Sequence, residues 1–280
     1  MPLIELNGVQ IAYEDTGPRG AQAVLLAHSL FFDHRMFEHQ VARFSDRYRV
    51  VAYDQRGHGA TPHPKNGQYG MDALTDDAAA LIENLGLGPV HMVGNSMGGF
   101  VALRLGARHP ELVRSVTTVG SSADKEHKVD QYRPLLEILN EHGAAPIVEP
   151  LMYTMFGDTT LAAPSQAELR ETWRSRMAAL PRAIGAAAKA VVERASVTDE
   201  LHLIKAPVLA IAGAQDHAYG VDLSEQIARL SPSGQCIVID AAGHSASLEA
   251  PDPVNRALAA HFERAEDASR AKSEGAARVD

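Results

Sequence analysis

Six short apolar runs constrain this chain more than any other feature. They fall at 23–27 (AVLLA), 49–52 (RVVA), 90–93 (VHMV), 113–119 (VRSVTTV), 208–212 (VLAIA) and 236–239 (CIVI), and none has a clear polar face. A strand with one face in water alternates polar and apolar residues; runs without that alternation are expected where a sheet is covered on both sides. Helix-like amphipathic stretches lie between them, near 35–44, 71–85, 97–108, 222–230 and 252–263. Strands alternating with helices of this length predict βαβ crossovers, an α/β class and a mostly parallel sheet. Residues 4–6 and 9–13 predict a small antiparallel hairpin turned at Asn7-Gly8.

The alternation fails in one place. Residues 122–200 hold no convincing strand, only helical pieces interrupted by Pro134, Pro146, Pro150, Pro164 and Pro181. An all-helical insertion between two strands predicts a cap over one edge of the sheet. The expected organisation is therefore a core of residues 1–121 and 201–264, a helical cap at 122–200, and a frayed, flexible tail at 265–280. The tail is charged, Ala-rich and free of large apolar side chains.

Composition narrows the function classes. A chain of 280 residues can bury a core without a disulfide or metal staple. Twenty-six basic against thirty-five acidic side chains leave a net charge of -9. That argues against nucleic acid and against an anionic membrane surface as partners, since both need a basic face. Cys236 is the single cysteine, so no intrachain disulfide can form. The start, MPLIELNGVQ, has neither a basic n-region nor an apolar h-region, and no apolar run approaches the roughly 20 residues of a membrane helix. A cytoplasmic protein is the expectation, and the composition leaves homo-oligomerisation open.

The sharpest motif is Gly94-Asn95-Ser96-Met97-Gly98-Gly99, between the run VHMV and the helix-like FVALRLGARH. G-x-S-x-G at a strand-to-helix turn is the nucleophile elbow: the glycines permit a very tight turn, and the serine hydroxyl is held in a strained conformation at a helix N-terminus. There the dipole and free N–H groups favour developing negative charge. Neither G-x-G-x-x-G nor G-x-x-x-x-G-K-[ST] fits the chain, so no nucleotide cofactor is expected. No H-E-x-x-H or cysteine pair is present, and His28, His34 and His39 are spaced by six and five, off a single helical face. No metal is expected either.

Five segments in order now resemble the α/β-hydrolase superfamily over roughly residues 3–263. They are Ala27-His28-Ser29-Leu30, Asp54-Gln55-Arg56-Gly57-His58-Gly59, GNSMGG, Asp216 in AGAQDH, and His244 in DAAGHSASLEAPDPV. The DQRGHG and SMGG segments and the length look most like the enol-lactonase, esterase and cofactor-free haloperoxidase group. The resemblance implies an eight-stranded, mostly parallel sheet flanked by helices, with a helical cap. It also implies the chain order serine, acid, histidine, which Ser96, Asp216 and His244 obey.

On this reading Ser96 is the nucleophile and His244, in a Gly-flanked loop past CIVI, is its base. Asp216, past VLAIA, orients the imidazole, with Asp124 as the alternative acid. Met97 supplies one oxyanion N–H at the helix start. The second is expected, by resemblance, at Leu30, with Phe31 the alternative, because His28-Ser29 replaces the family's common His-Gly pair. His28 and the DQRGHG segment are expected to brace loops. Within the cap, Met152, Met155, Phe156 and Trp173 are expected to line an apolar substrate pocket.

The function these residues predict is a cofactor-free serine hydrolase of small, apolar carboxylic esters or lactones. No arginine is assigned to a substrate carboxylate, which weakens the case for the enol-lactone of 3-oxoadipate. Three other readings share the fold. One is a C–C bond hydrolase of ring-cleavage products, whose members usually carry an aromatic residue where this chain has Ser245. The others are a perhydrolase or haloperoxidase with the same triad, and a slow-turnover ligand sensor. In haloalkane dehalogenases of this fold the nucleophile is an aspartate, and Ser96 at that position argues against dehalogenation.

Overall fold

The computed structural model describes residues 1–65 and 67–276, with side chains through Ala271. Its eight strands are β1 (Leu3–Leu6), β2 (Val9–Thr16), β3 (Ala23–Ala27), β4 (Arg49–Tyr53), β5 (Val90–Asn95), β6 (Val113–Val119), β7 (Val208–Gly213) and β8 (Gly234–Ile239). They form one sheet in the order β1-β2-β4-β3-β5-β6-β7-β8. β1 and β2 are the expected hairpin: Leu6 pairs with Val9, and Asn7 and Gly8 both take positive φ, as a two-residue turn of this hand requires. β2 also runs antiparallel to β4, and from β4 onward every pairing is parallel.

The apolar runs are buried because helices cover both faces. Every residue of β3, β4, β5 and β7 is buried. β8, at the sheet's edge, is largely open, with Ile237 and Val238 exposed. In chain order the helices are α1 (Glu38–Phe44), α2 (Met71–Asn84) and α3 (Met97–Arg108), then α4 (Val129–His142), α5 (Val148–Met155), α6 (Asp158–Ala162), α7 (Ala167–Ala178) and α8 (Ile184–Val192). After β7 come α9 (Val221–Leu230), α10 (Ala246–Glu249) and α11 (Pro251–Ala276). α3 is the central helix, with Phe100, Val101, Ala102, Leu103 and Leu105 fully buried.

α4 to α8 all lie between β6 and β7, so the strandless stretch is a helical insertion. Its prolines interrupt less than expected. Pro150 falls in the first turn of α5, where the missing N–H costs no helical bond, and α4 continues through Pro134.

The tail reading needs correction. The last helix does not fray near residue 264 but continues to Ala276, and of the tail residues 277–280 lie outside the described residues. The reason is long-range docking. Ala265 is buried, Tyr48 donates its hydroxyl to Glu266 at 2.8 Å, and Arg47 pairs with both Glu263 and Glu266 at 3.1 Å. Ending the chain at residue 264 should lower the unfolding free energy by about 1–3 kcal/mol, because it orphans the buried Tyr48 hydroxyl. Urea titration reads this; an unchanged midpoint would show that the added turns contribute nothing.

Candidate active site

The parallel strands point one way, so the loops after β3, β5, β6, β7 and β8 all leave the same edge of the sheet. In open α/β sheets this is the edge where ligands bind. Pairing keeps the strand ends level there: Ala27 with Gly94, Asn95 with Val119, and Gly213 with Ile239.

Ser96 sits between β5 and α3 with φ 50° and ψ -110°, a backbone conformation that costs a non-glycine residue about 1–3 kcal/mol. Its surroundings over-determine that conformation. The Ser96 N–H donates to Val119 O at 2.8 Å, and its carbonyl accepts from Gly99, Phe100 and the Ser121 hydroxyl at 2.8–3.0 Å. The flanking glycines are steric requirements. A Cβ on Gly98 would lie 1.9 Å from Ala27 O, and one on Gly94 would lie 2.0 Å from Gly98 O. Helix geometry leaves the Met97 N–H without an intrahelical acceptor.

His244 and Asp216 meet across the loops after β8 and β7. Nδ1 of His244 lies 2.9 Å from Oδ2 of Asp216 and 3.1 Å from Oδ1, and both side chains are essentially out of solvent. The N–H groups of Ala218 and Tyr219 donate to the same carboxylate at 2.7 and 2.9 Å. With Nδ1 donating to a carboxylate, Nε2 is left as the acceptor. Asp124, the alternative acid, instead accepts the N–H of Lys125 at 2.7 Å. Behind the ring, Asn95 donates to the His244 carbonyl at 3.0 Å, and Gly120 sits so close that a Cβ there would lie 2.7 Å from that carbonyl and 3.0 Å from the Asp216 carboxylate.

Ser96 and His244 line one cavity of about 70 Å³, together with Leu30 and Phe31 from the loop after β3. Phe31 takes φ 70°, and the N–H of Phe32 closes a turn on Ser29 O, so both candidate amides sit in a tightly bent loop. His28 braces it. Its Nε2 accepts the N–H of Gln55 at 2.9 Å, which leaves Nδ1 to donate to Ser29 O at 2.8 Å. Burial, against the pull of Asp54, holds the His28 pKa below its ordinary value and keeps the ring neutral. Within DQRGHG, Asp54 accepts the N–H groups of His34 and Ala60 at 2.8 Å, and Arg56 pairs with Asp77. These contacts are architectural.

The helical insertion supplies most of the apolar wall, through Leu135, Leu136 and Leu139 of α4, Leu151 and Met155 of α5, and Val191 and Val192 of α8. Of the four insertion residues expected there, Met155 alone lines the cavity. Met152, Phe156 and Trp173 are buried packing residues; the rings of Phe156 and Trp173 stand 6.1 and 4.6 Å from that of Phe32. Helix phase separates the two methionines: Leu151 and Met155 share one face of α5, four residues apart, and Met152 lies on the next, while Phe156 follows the end of α5 in an extended conformation and Trp173 belongs to α7.

Several site residues escaped sequence reasoning. Glu126, Tyr132, Thr154 and Tyr219 also border the cavity. Glu249 is buried and accepts N–H bonds from Gly157 at 2.7 Å, Gly243 at 3.0 Å and Ser245 at 3.1 Å, so one carboxylate ties the His244 loop to the insertion. Only its place in the His244 segment could have signalled it. Asp33, His34 and Asp54 bring possible metal-ligand atoms within 4.8 Å of one another, but Arg35 clamps Asp33 and N–H groups occupy Asp54.

The alpha/beta hydrolase fold family model matches residues 22–251. The chain belongs to this family. It is 30% identical to 3-oxoadipate enol-lactonase 1 of Acinetobacter baylyi over 252 residues, covering 88% of this chain and 90% of that one. Among solved structures it resembles a thermophilic esterase from Thermogutta terrifontis, with 28% identity, a TM-score of 0.85, and coverage of 94% and 98%. The fold also matches the enol-lactonase from Burkholderia xenovorans, with 24% identity, a TM-score of 0.87, and coverage of 94% and 100%. The expected superfamily and its enol-lactonase and esterase branch are thus the right ones. Among the described residues no helix is long and apolar enough to cross a membrane.

Glu249→Gln would set an amide NH2 against at least one backbone N–H donor. Hydrogen exchange at Gly157, Gly243 and Ser245 should quicken by about tenfold or more, as expected for losing a charge-assisted bond. Unchanged protection at all three amides would mean the carboxylate does not hold the loop to the insertion.

Proposed function

We propose that the chain is a serine hydrolase that cleaves small apolar carboxylic esters or lactones through an acyl-enzyme. The observation that carries this reading is the Asp216–His244 pair, 2.9 Å apart and buried, beside an apolar cavity that Ser96 also lines. Similarity to an enol-lactonase and an esterase supports the bond type.

In this reading Ser96 Oγ attacks the substrate carbonyl carbon while Nε2 of His244 takes its proton. Asp216, bonded at Nδ1, holds the tautomer and steadies the imidazolium. The carbonyl oxygen becomes an oxyanion that accepts from the Met97 N–H and from Leu30 or Phe31. Collapse breaks the bond to the leaving alkoxide, which takes the proton back from His244; in a lactone this alcohol stays attached to the acyl group. Water then attacks the acyl-enzyme, giving its proton to His244, and Ser96 leaves with that proton. The insertion at 122–200 acts as the cap, whose apolar side chains exclude water from this chemistry.

Ser96→Ala should retain less than about one part in 10³ of kcat on p-nitrophenyl butyrate while keeping the native circular dichroism spectrum. Asp216→Asn should lower kcat by on the order of 10³–10⁴, through loss of the orienting carboxylate, and Asp124→Asn should leave it within about threefold. A large loss at Asp124 with little at Asp216 would overturn the assignment of the acid. Intact-protein mass after an organophosphonate probe should show one adduct, and none on Ser96→Ala.

A further inference from the structure

We propose that the Tyr132 hydroxyl donates a hydrogen bond to substrate and so selects esters or lactones that carry a second, uncharged acceptor oxygen, such as a ketone. The proposal rests on the ester-or-lactone reading and adds to it the polarity of the substrate's remote part.

Helix phase turns Tyr132 inward. Tyr132, Leu135, Leu136 and Leu139 recur at the i, i+3, i+4, i+7 spacing of one face of α4, and all four border the cavity. One turn earlier, Lys128 marks the same side. Its Nζ donates to His217 O at 2.7 Å and to Ala218 O at 2.9 Å, in the loop that carries Asp216. The opposite side of the helix, with Asp130, Pro134, Glu137 and Glu141, is exposed.

The other polar side chains at the cavity are spent. Glu126 accepts from Arg194, from the Tyr219 hydroxyl and from the Lys128 N–H, so the Tyr219 proton is used as well. Thr154 donates to Pro150 O at 2.9 Å. Ser96 and Nε2 of His244 belong to the reaction. The Tyr132 hydroxyl has no hydrogen-bond partner among the described residues, and it is not one of the orphaned oxygens sealed away from solvent. It thus keeps accessible surface, on a side chain that faces the cavity. Burial, with the charges of Glu126 and Asp216 nearby, holds the phenol pKa well above its ordinary value, so the group keeps its proton at any working pH. What it offers is a donor.

Desolvation decides which substrate profits. A molecule entering the cavity leaves its water behind, and a wall built largely from leucine, valine, alanine and methionine returns no hydrogen bond. The reacting carbonyl has the oxyanion amides. A second carbonyl oxygen has Tyr132. A hydrocarbon chain in its place strips the phenol of water and leaves it unpaired, which is the cost by which a hydrogen-bonding site rejects an analogue lacking the matching group.

The test compares the wild-type enzyme with Tyr132→Phe, which removes the hydroxyl alone, on two position-scanned series. One holds the p-nitrophenyl esters of hexanoate, 4-oxohexanoate and 5-oxohexanoate; the other holds hexyl, 4-oxohexyl and 5-oxohexyl acetates. In wild type at least one oxo member should exceed its hydrocarbon partner in kcat/KM, after each is normalised to its rate of hydrolysis by hydroxide. In Tyr132→Phe that oxo-to-hydrocarbon ratio should fall about tenfold, as expected for one hydrogen bond at a desolvated site. The melting temperature should stay within about 2 °C of wild type, because no bond within the protein is lost. Absence of an oxo preference in wild type, or ratios that are the same in both enzymes at every position, would overturn the proposal. So would a large fall in melting temperature, which would show the hydroxyl to be bonded within the fold. Failure of the underlying reading looks different: wild type would hydrolyse no member of either series.

Discussion

The site depends first on how closely the start of α3 approaches the backbones of β3 and β5. Ala27 O occupies the space where any side chain at position 98 would begin, and Gly98 O does the same for position 94. That contact turns the chain sharply enough to hold Ser96 at a positive φ, with its carbonyl saturated by donors from α3 and Ser121. Local strain of this kind persists only where surrounding bonds leave no alternative. The burial of nearly all of α3 supplies them, because the helix cannot shift without opening the core on both β5 and β6.

Around that fixed point the histidine is held from two directions by two different acids. Asp216 orients the ring through Nδ1, and Glu249 holds the backbone on either side of it through the N–H groups of Gly243 and Ser245. The two carboxylates have different surroundings. Asp216 is also fixed by two N–H groups of its own loop, whereas the second oxygen of Glu249 reaches across to Gly157 in the insertion. The position of His244 is therefore coupled to the seating of the helices that wall the cavity. An insertion that lifted to admit substrate would release a bond to the same residue that steadies the histidine loop.

The sheet was legible because burial on both faces writes itself into a strand as an unbroken apolar run, and β3 to β7 carry that signature. The elbow was legible because the glycines at 94 and 98 are sterically compelled, so the motif is a direct record of geometry. The meeting of Asp216 with His244 followed from chain order and from both lying past the ends of parallel strands. What failed was of another kind. The last helix runs on to Ala276 because Glu266 docks on Arg47 and Tyr48, more than two hundred residues away, and no local pattern records that. In the insertion, four large apolar residues looked equivalent, but the phase of α5 decides that Met155 lines the cavity while Met152 packs behind it, and Phe156, past the end of that helix, packs against Phe32. Glu126 was invisible for the same reason: its partner Arg194 lies sixty-eight residues on, past all five helices of the insertion.

The pair Glu126–Arg194 also bears on how the fold tolerates charge next to apolar chemistry. Removing either partner would strand a buried charge, which costs more than the intact pair contributes. The pair spans the insertion, joining the loop that leaves β6 to the segment just after α8, so both ends of the insertion are tied near the cavity. Ser196 and Val197 reinforce the same closure through bonds to Ala123 O. The helices between them are left to pack by apolar contact alone over much of the cavity wall, where α4 and α8 meet face to face. Apolar contact is non-directional and tolerates sliding in a way that a buried ion pair does not. The ends of the insertion are thus held by directional bonds and a buried ion pair, and its α4–α8 wall by apolar packing.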